Sequence, residues 1–312
     1  MKIFPFDIIF LYFTCAITFT LSKATLAFAT PFFYTGFRMI IAGLLLVALA
    51  WWRGACRSFS RNDWGLMLQL IIFGVFIAYG FDLWALQYMT SCESAIVYNL
   101  MPLASAVISY FWFGERMTFI KWLAMGVGIL ALWPLILQEP SCTVSLAVSP
   151  ALRIVAFLVL IGVLVSSAYG WVITRELVKI RTYDIFWVNG ISMIVGGIMA
   201  FAVSFGREVG TGPVVTNWSL FLVLTAAIIF VSNGIFVNLY SFLLQRYTAT
   251  FLSFAGLMTP LLVALFGSFF LREGVSMNML SSGLFLSVSL LLFYREELRQ
   301  GYVQTMDIHE IK

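Results

Sequence analysis

The chain has little charge, a single histidine and only four cysteines, and each scarcity excludes a class of function. Of 312 residues, 10% are Asp, Glu, Lys or Arg and 62% are hydrophobic, with a mean hydropathy of +1.00. A water-soluble domain carries roughly 25% charged residues, so these side chains do not supply an aqueous surface. His309 sits in a polar C-terminal stretch, and Cys15, Cys56, Cys92 and Cys142 show no metal-ligand spacing. Acid–base and metal chemistry at neutral pH are left almost without side chains, and neither metal nor cofactor is expected. No GxxxxGK[ST] run occurs, which rules out ATP as an energy source within the chain. No small-x-small cleavage site precedes Lys23, so the N-terminal apolar stretch reads as a retained helix.

What the chain does have is ten apolar segments, at roughly 5–23, 31–52, 64–86, 93–113, 119–138, 151–174, 184–206, 217–244, 247–271 and 276–294. About 20 apolar residues cross a hydrocarbon core as a helix. In lipid each segment has to satisfy its own backbone, so each is expected to be helical. The expected fold is an all-α membrane protein of about ten transmembrane helices without a separate soluble domain. With a cytoplasmic N-terminus, thirteen of the eighteen Lys and Arg residues fall on the inner side. The others are Lys23, Arg38, Arg153, Arg207 and Arg272. This asymmetry predicts cytoplasmic termini in a bacterial inner membrane. It places Cys92 and Cys142 outside, which leaves a disulfide between them open, and Cys56 in the reducing interior.

The chain repeats itself. Gln87, Pro102 and Glu115 recur as Gln245, Pro260 and Glu273, each 158 residues on, inside the strings ALQYMTSCESAIVYNLMPL and LLQRYTATFLSFAGLMTPL and their continuations FGER and LREG. Five crossings separate the copies, an odd number, so the halves are expected to be inverted, with Glu115 and Glu273 on opposite sides. The repeats read as 1–140 and 151–296, followed by a cytoplasmic tail at 297–312. Inverted halves are the architecture of alternating-access carriers, whose substrate sits near the midplane where the halves meet.

The opening run FTLSKATLAFATPFFYTGFRMIIAG, which carries Phe19, Lys23, Pro31, Arg38 and Ala42, and the duplicated Pro102 to Gly114-Glu115-Arg116 string resemble the EamA-type drug/metabolite transporters. The resemblance runs from about residue 8 to residue 294. It implies five plus five inverted helices, with helices 1 to 4 and 6 to 9 around a central cavity and 5 and 10 peripheral. It further implies a secondary carrier for a small amphipathic metabolite such as an amino acid or amino-acid derivative. S-adenosylmethionine, with its sulfonium and adenine ring, is one substrate known in that superfamily. The partners expected are this solute and the bilayer, not nucleic acid, with the oligomeric state open. Broad amino-acid or drug efflux is the alternative within transport. A membrane-embedded enzyme on lipid-linked substrates would need an acid, base or metal cluster at one face, where only the Arg175 to Asp184 loop is polar enough. Family members often keep a Trp-Gly pair early in helix 1, where this chain has Ala16-Ile17-Thr18-Phe19, so Thr14 and Thr18 are expected to line the cavity instead.

Among candidate site residues Asp82 comes first, since a carboxylate in an apolar helix is costly unless paired or solvated. It either gates a cavity or fixes packing through a permanent ion pair, with Arg38 the expected partner. Lys23 and Glu93 fall at a similar depth, so the four charges could form one compensated cluster, or Lys23 and Glu93 could snorkel to the interface. Asn99, Asn189, Asn233 and Asn238 either join helices or line a wet cavity, with Asn233 closest to midplane. Trp84, Tyr98, Tyr169 and Trp171 fall in helices expected to line the cavity, where aromatic faces hold cations or stack on bases. Pro31, Pro102 and Pro260 weaken helices where a hinge, or a static kink, is expected. Gly126, Gly128, Gly196 and Gly197 are expected to permit close helix contact.

Overall fold

A computed structural model describes residues 6–55, 58–113, 117–136, 149–208, 210, 212–246, 252, 256–271, 274 and 276–299. Among these the regular elements are all helical: α1 (Phe6–Leu26), α2 (Pro31–Trp52), α3 (Trp64–Leu86), α4 in two pieces (Ser91–Tyr98 and Met101–Phe113), α5 (Phe119–Leu130), α6 (Pro150–Ile180), α7 (Ile185–Arg207), α8 (Trp218–Leu243), α9 (Thr259–Leu271) and α10 (Met277–Arg299). Eight are long and apolar enough to cross a membrane, while α5 and α9 are shorter apolar helices. Gly114, Glu115, Arg116, Glu273, Cys56, Cys142 and the tail from residue 300 lie outside the described residues. With them go the ends of the duplicated motif and the Cys92–Cys142 question.

Local chemistry sets the helix starts. Thr90 and Glu93 form a reciprocal capping box that starts α4 at Ser91, two residues before the apolar pattern predicts. The Asp184 carboxylate accepts from the Phe186 and Trp187 amides at 2.9 and 3.1 Å and starts α7. Pro150 opens α6, where its missing donor costs nothing. That helix runs past its expected end at 174 because Glu176–Ile180 continues it as a wider π-helical turn. α5 is shorter than the apolar run at 119–138, giving way after Leu130 to a separate turn, Trp133–Ile136.

The helices pair according to a pseudo-two-fold. α2 packs along α7 over the most extensive contact in the bundle, and α5 packs along α10. α1 lies against α8 as α6 lies against α3, and α1 against α9 as α6 against α4. Exchanging α1–α5 with α6–α10 maps the α2–α7 and α5–α10 contacts onto themselves and interchanges the members of the other two pairs. With five helices per copy, the halves are inverted.

Glycine makes the central α2–α7 contact close. Gly36 and Gly43 of α2 face Gly197 and Gly190 of α7, seven residues apart on each helix. A Cβ on Gly43 would meet the Gly190 carbonyl oxygen at 2.7 Å, and one on Gly197 would meet that of Gly36 at 3.1 Å. The α3–α6 crossing is tighter still, since a Cβ on Gly170 would lie 2.5 Å from the Gly74 Cα. Gly128 and Gly196 also meet neighbours closely, but Gly126 faces open space, contrary to expectation, because its direction on α5 points away from α10. Gly43→Val is expected to lower stability by about 1–3 kcal/mol, because backbone has to move to admit the side chain. Gly126→Val is expected to be neutral. Thermal unfolding midpoints of the two variants in detergent compare them directly.

The loops at each end of the bundle are tied across the halves. Where α2 begins, the Glu208 carboxylate accepts from Thr30 Oγ1 (2.7 Å), the Phe32 and Phe33 amides (2.9 Å each) and Ser204 Oγ (2.7 Å). This satisfies donors at the N-terminus of α2, where negative charge is favoured. A backbone bridge between Ala29 and Val215 reinforces it. At the opposite end, Asp63 accepts from the Tyr183 hydroxyl at 2.7 Å and from Ser60 Oγ at 2.9 Å.

Candidate functional site

Eight helices, α1 to α4 and α6 to α9, line a central cavity of about 160 Å³ that is partly open to its surroundings. No described residue of α5 or α10 lines it. Its walls carry the local irregularities of both repeats. Leu70–Phe81 of α3 and Ile229–Phe236 of α8 are both wound as π-helix at positions matched by the 158-residue offset. Such windings recur at functional sites, because they shift which side chains face inward. α4 breaks at Asn99–Leu100, and α9 is preceded by a 3₁₀ turn at Gly256–Met258, again 158 residues apart. Pro102 and Pro260 follow these two breaks. Pro31 is the first residue of α2 and bends no helix.

Among the described residues the charged ones on the lining are Arg38 of α2 and Asp82 of α3. Arg38 is 1% exposed, and its guanidinium lies 5.2 Å from the ring centre of Tyr79 and 5.8 Å from that of Tyr34. Its Nε has no hydrogen-bond partner. The Asp82 carboxylate accepts from the Tyr98 hydroxyl, which also hydrogen-bonds Ser167, while Asp82 Oδ1 has no partner. Arg38 and Asp82 attract each other, but the expected ion pair between them is not formed. Tyr98 of α4 occupies the carboxylate, and the guanidinium rests on aromatic faces instead.

The expected cluster of four charges is also split. Lys23 Nζ donates to the Leu86 and Met89 carbonyls at 2.6 and 2.7 Å, capping the end of α3, and does not line the cavity. Glu93 is buried in its capping box and pairs with Arg153 of α6 at 2.5 Å. Nor does Trp84 line the cavity; it packs edge-on against Tyr88 at 5.1 Å. Asn233, fully buried, points Nδ2 at the sulfurs of Met39 (3.3 Å) and Met193 (3.6 Å), joining α8 to α2 and α7 outside the cavity wall. Tyr169 is likewise absent from the wall and hydrogen-bonds Gln69. Of the two threonines of α1, Thr18 reaches the cavity and Thr14 does not.

Tyr98, Asn99, Trp171 and Asn189 are on the wall. Asn189 also donates to Asn238 Oδ1 at 3.1 Å and Ser241 Oγ at 3.2 Å. Trp171 packs against Tyr240 in a tilted arrangement, ring centres 4.3 Å apart and planes 37° from parallel. Tyr12, Tyr79 and Tyr240 line the cavity without having been singled out in the sequence. Tyr79 was detectable, standing three residues before Asp82 and so on the same helix face. Tyr12 and Tyr240 carry no charge or motif to mark them. Arg38 and Asp82 sit toward the bundle end where α2 and α8 begin, and the Trp171–Tyr240 pair toward the end where α8 finishes.

Ten apolar helices folded as two inverted copies around a central cavity make a multi-pass membrane transporter. The EamA-like transporter family matches residues 6–137 and again 154–295. The chain belongs to that family and is a transporter, not an enzyme. It is 31% identical over 292 residues to the S-adenosylmethionine/S-adenosylhomocysteine transporter of Chlamydia muridarum (strain MoPn / Nigg), covering 92% of this chain and 90% of that one. To the S-adenosylmethionine/S-adenosylhomocysteine transporter of Chlamydia trachomatis serovar L2 it is 29% identical, covering 93% and 88%. A solved crystal structure superposes with a TM-score of 0.65 at 17% identity, over 93% of this chain and 97% of that one, and has the same fold.

Proposed function

We propose that the chain is a secondary carrier in a bacterial inner membrane, both termini cytoplasmic, that moves a small metabolite with an amino-acid head group by alternating access. The repeats 1–140 and 151–296 rock against each other around the cavity. The observation that carries this reading is the composition of the cavity wall, with the buried Arg38 and the half-buried Asp82 at one end and the tilted Trp171–Tyr240 ring pair at the other. Such a wall complements an amphipathic solute, polar at one end and flat at the other. S-adenosylmethionine and S-adenosylhomocysteine, the substrates named for the two chlamydial relatives, share that form. They differ in one methyl group on sulfur and the charge it brings, so what a carrier for both recognises is the amino-acid head and the adenosine. Without an ATP site in the chain, transport runs on a gradient or by exchange.

Uptake of labelled S-adenosylmethionine into liposomes preloaded with S-adenosylhomocysteine tests the reading. Saturable uptake that rises with the preload is expected. No uptake of either compound, alongside uptake of common amino acids, would replace it with a broad amino-acid carrier.

A further inference from the structure

Arg38 is the least compensated charge on the cavity wall. It is 1% exposed, its Nε has no partner, and no ion pair neutralises it. A guanidinium so placed carries a desolvation cost that ring faces offset only in part, and an anion in the cavity would offset it far better. Asp82 lines the same cavity, with one carboxylate oxygen held by Tyr98 and the other facing no donor. The two opposite charges attract each other without forming an ion pair, so each keeps a free valence toward a ligand. A group that presents an anion and a cation on adjacent atoms completes both.

Building on the carrier reading above, we infer that Arg38 receives the α-carboxylate of the substrate and that Asp82, positioned by Tyr98, receives its α-ammonium. The site thereby selects zwitterionic α-amino acids over the corresponding amines. Guanidinium binds carboxylate through two parallel hydrogen bonds, which Lys does not reproduce. An amine lacking the carboxylate leaves Arg38 buried and unpaired, and the loss of a charge-assisted hydrogen bond is worth on the order of tenfold to a hundredfold in affinity.

The experiment measures binding of S-adenosylhomocysteine and of its decarboxylated analogue to the purified full-length protein in detergent, wild type and Arg38→Met. Wild type is expected to prefer the intact ligand by on the order of tenfold to a hundredfold. In Arg38→Met that preference should collapse to about onefold, with affinity for the decarboxylated ligand retained or improved. Arg38→Lys should keep only part of it, and it serves as the second variant if Arg38→Met does not elute as a single species. Equal binding of the two ligands by wild type overturns the assignment while leaving the carrier reading intact. So does a preference that survives Arg38→Met. If wild type binds neither ligand, the substrate reading falls and this inference with it.

Discussion

Asp82→Asn is expected to reduce uptake by on the order of tenfold to a hundredfold while leaving the protein about as stable as wild type. The first half follows from the carboxylate's position on the cavity wall with one oxygen unpartnered. A cationic group on the substrate that meets Asp82 in one open state and not in the other biases the carrier between them, and only such differential binding moves an equilibrium. The second half follows from what Asp82 does not do. A buried ion pair broken by removing one partner costs about 3–5 kcal/mol, because the other charge is stranded. Arg38 makes no ion pair with Asp82, and the Tyr98 hydroxyl still finds an acceptor in an Asn carbonyl, through a weaker hydrogen bond than the carboxylate accepts. Uptake in liposomes and unfolding temperature in detergent, measured on the same preparation, separate the two effects. A stability loss near 3–5 kcal/mol would make Asp82 a packing residue. The double variant Arg38→Leu with Asp82→Leu removes both charges together, and wild-type uptake in it would end the gating role.

The bundle was legible in the sequence because lipid leaves so few solutions. Apolar blocks of spanning length have to be helices, and a duplicated Gln-Pro-Glu spacing with an odd number of crossings has to be inverted. The cavity wall was legible only in part, because depth along a helix was used where direction around it decides. On α3 the lining residues Ala78, Tyr79, Asp82, Leu83 and Leu86 recur at three- and four-residue steps. Trp84, two residues after Asp82, is turned roughly 200° away, since each helical residue advances about 100°. Asn233 fails in the same way beside the lining residue Ser232. Lys23 and Glu93 have the depth of Asp82 but lie at helix ends, where unpaired carbonyls and amides claim them first. The π-helical windings of α3 and α8 shift the inward face further, and no residue pattern signals them.

Breaking the Glu93–Arg153 pair is expected to be the most destabilising single change, at about 3–5 kcal/mol for Glu93→Gln. The two side chains are 2% and 5% exposed and meet at 2.5 Å, joining the first turn of α4 to the first turn of α6. Glutamine keeps the volume and also serves at the third position of a capping box with Thr90, so the start of α4 is preserved and the charge alone is removed. Arg153 then stays buried against the Phe157 ring, 5.8 Å away, without the carboxylate that faces it. The remedy distinguishes charge from packing. Arg153→Met added to Glu93→Gln takes away the stranded cation while retaining an unbranched apolar stem, and it should recover most of the lost stability. Because neither residue lines the cavity, the recovered double variant should transport at close to the wild-type rate. Full-length protein followed by thermal unfolding in detergent gives the stability of each variant, and liposome uptake gives the rate. A double variant that folds but does not transport would mean that the pair acts on the α4–α6 contact during the transport cycle, beyond holding the two helices together.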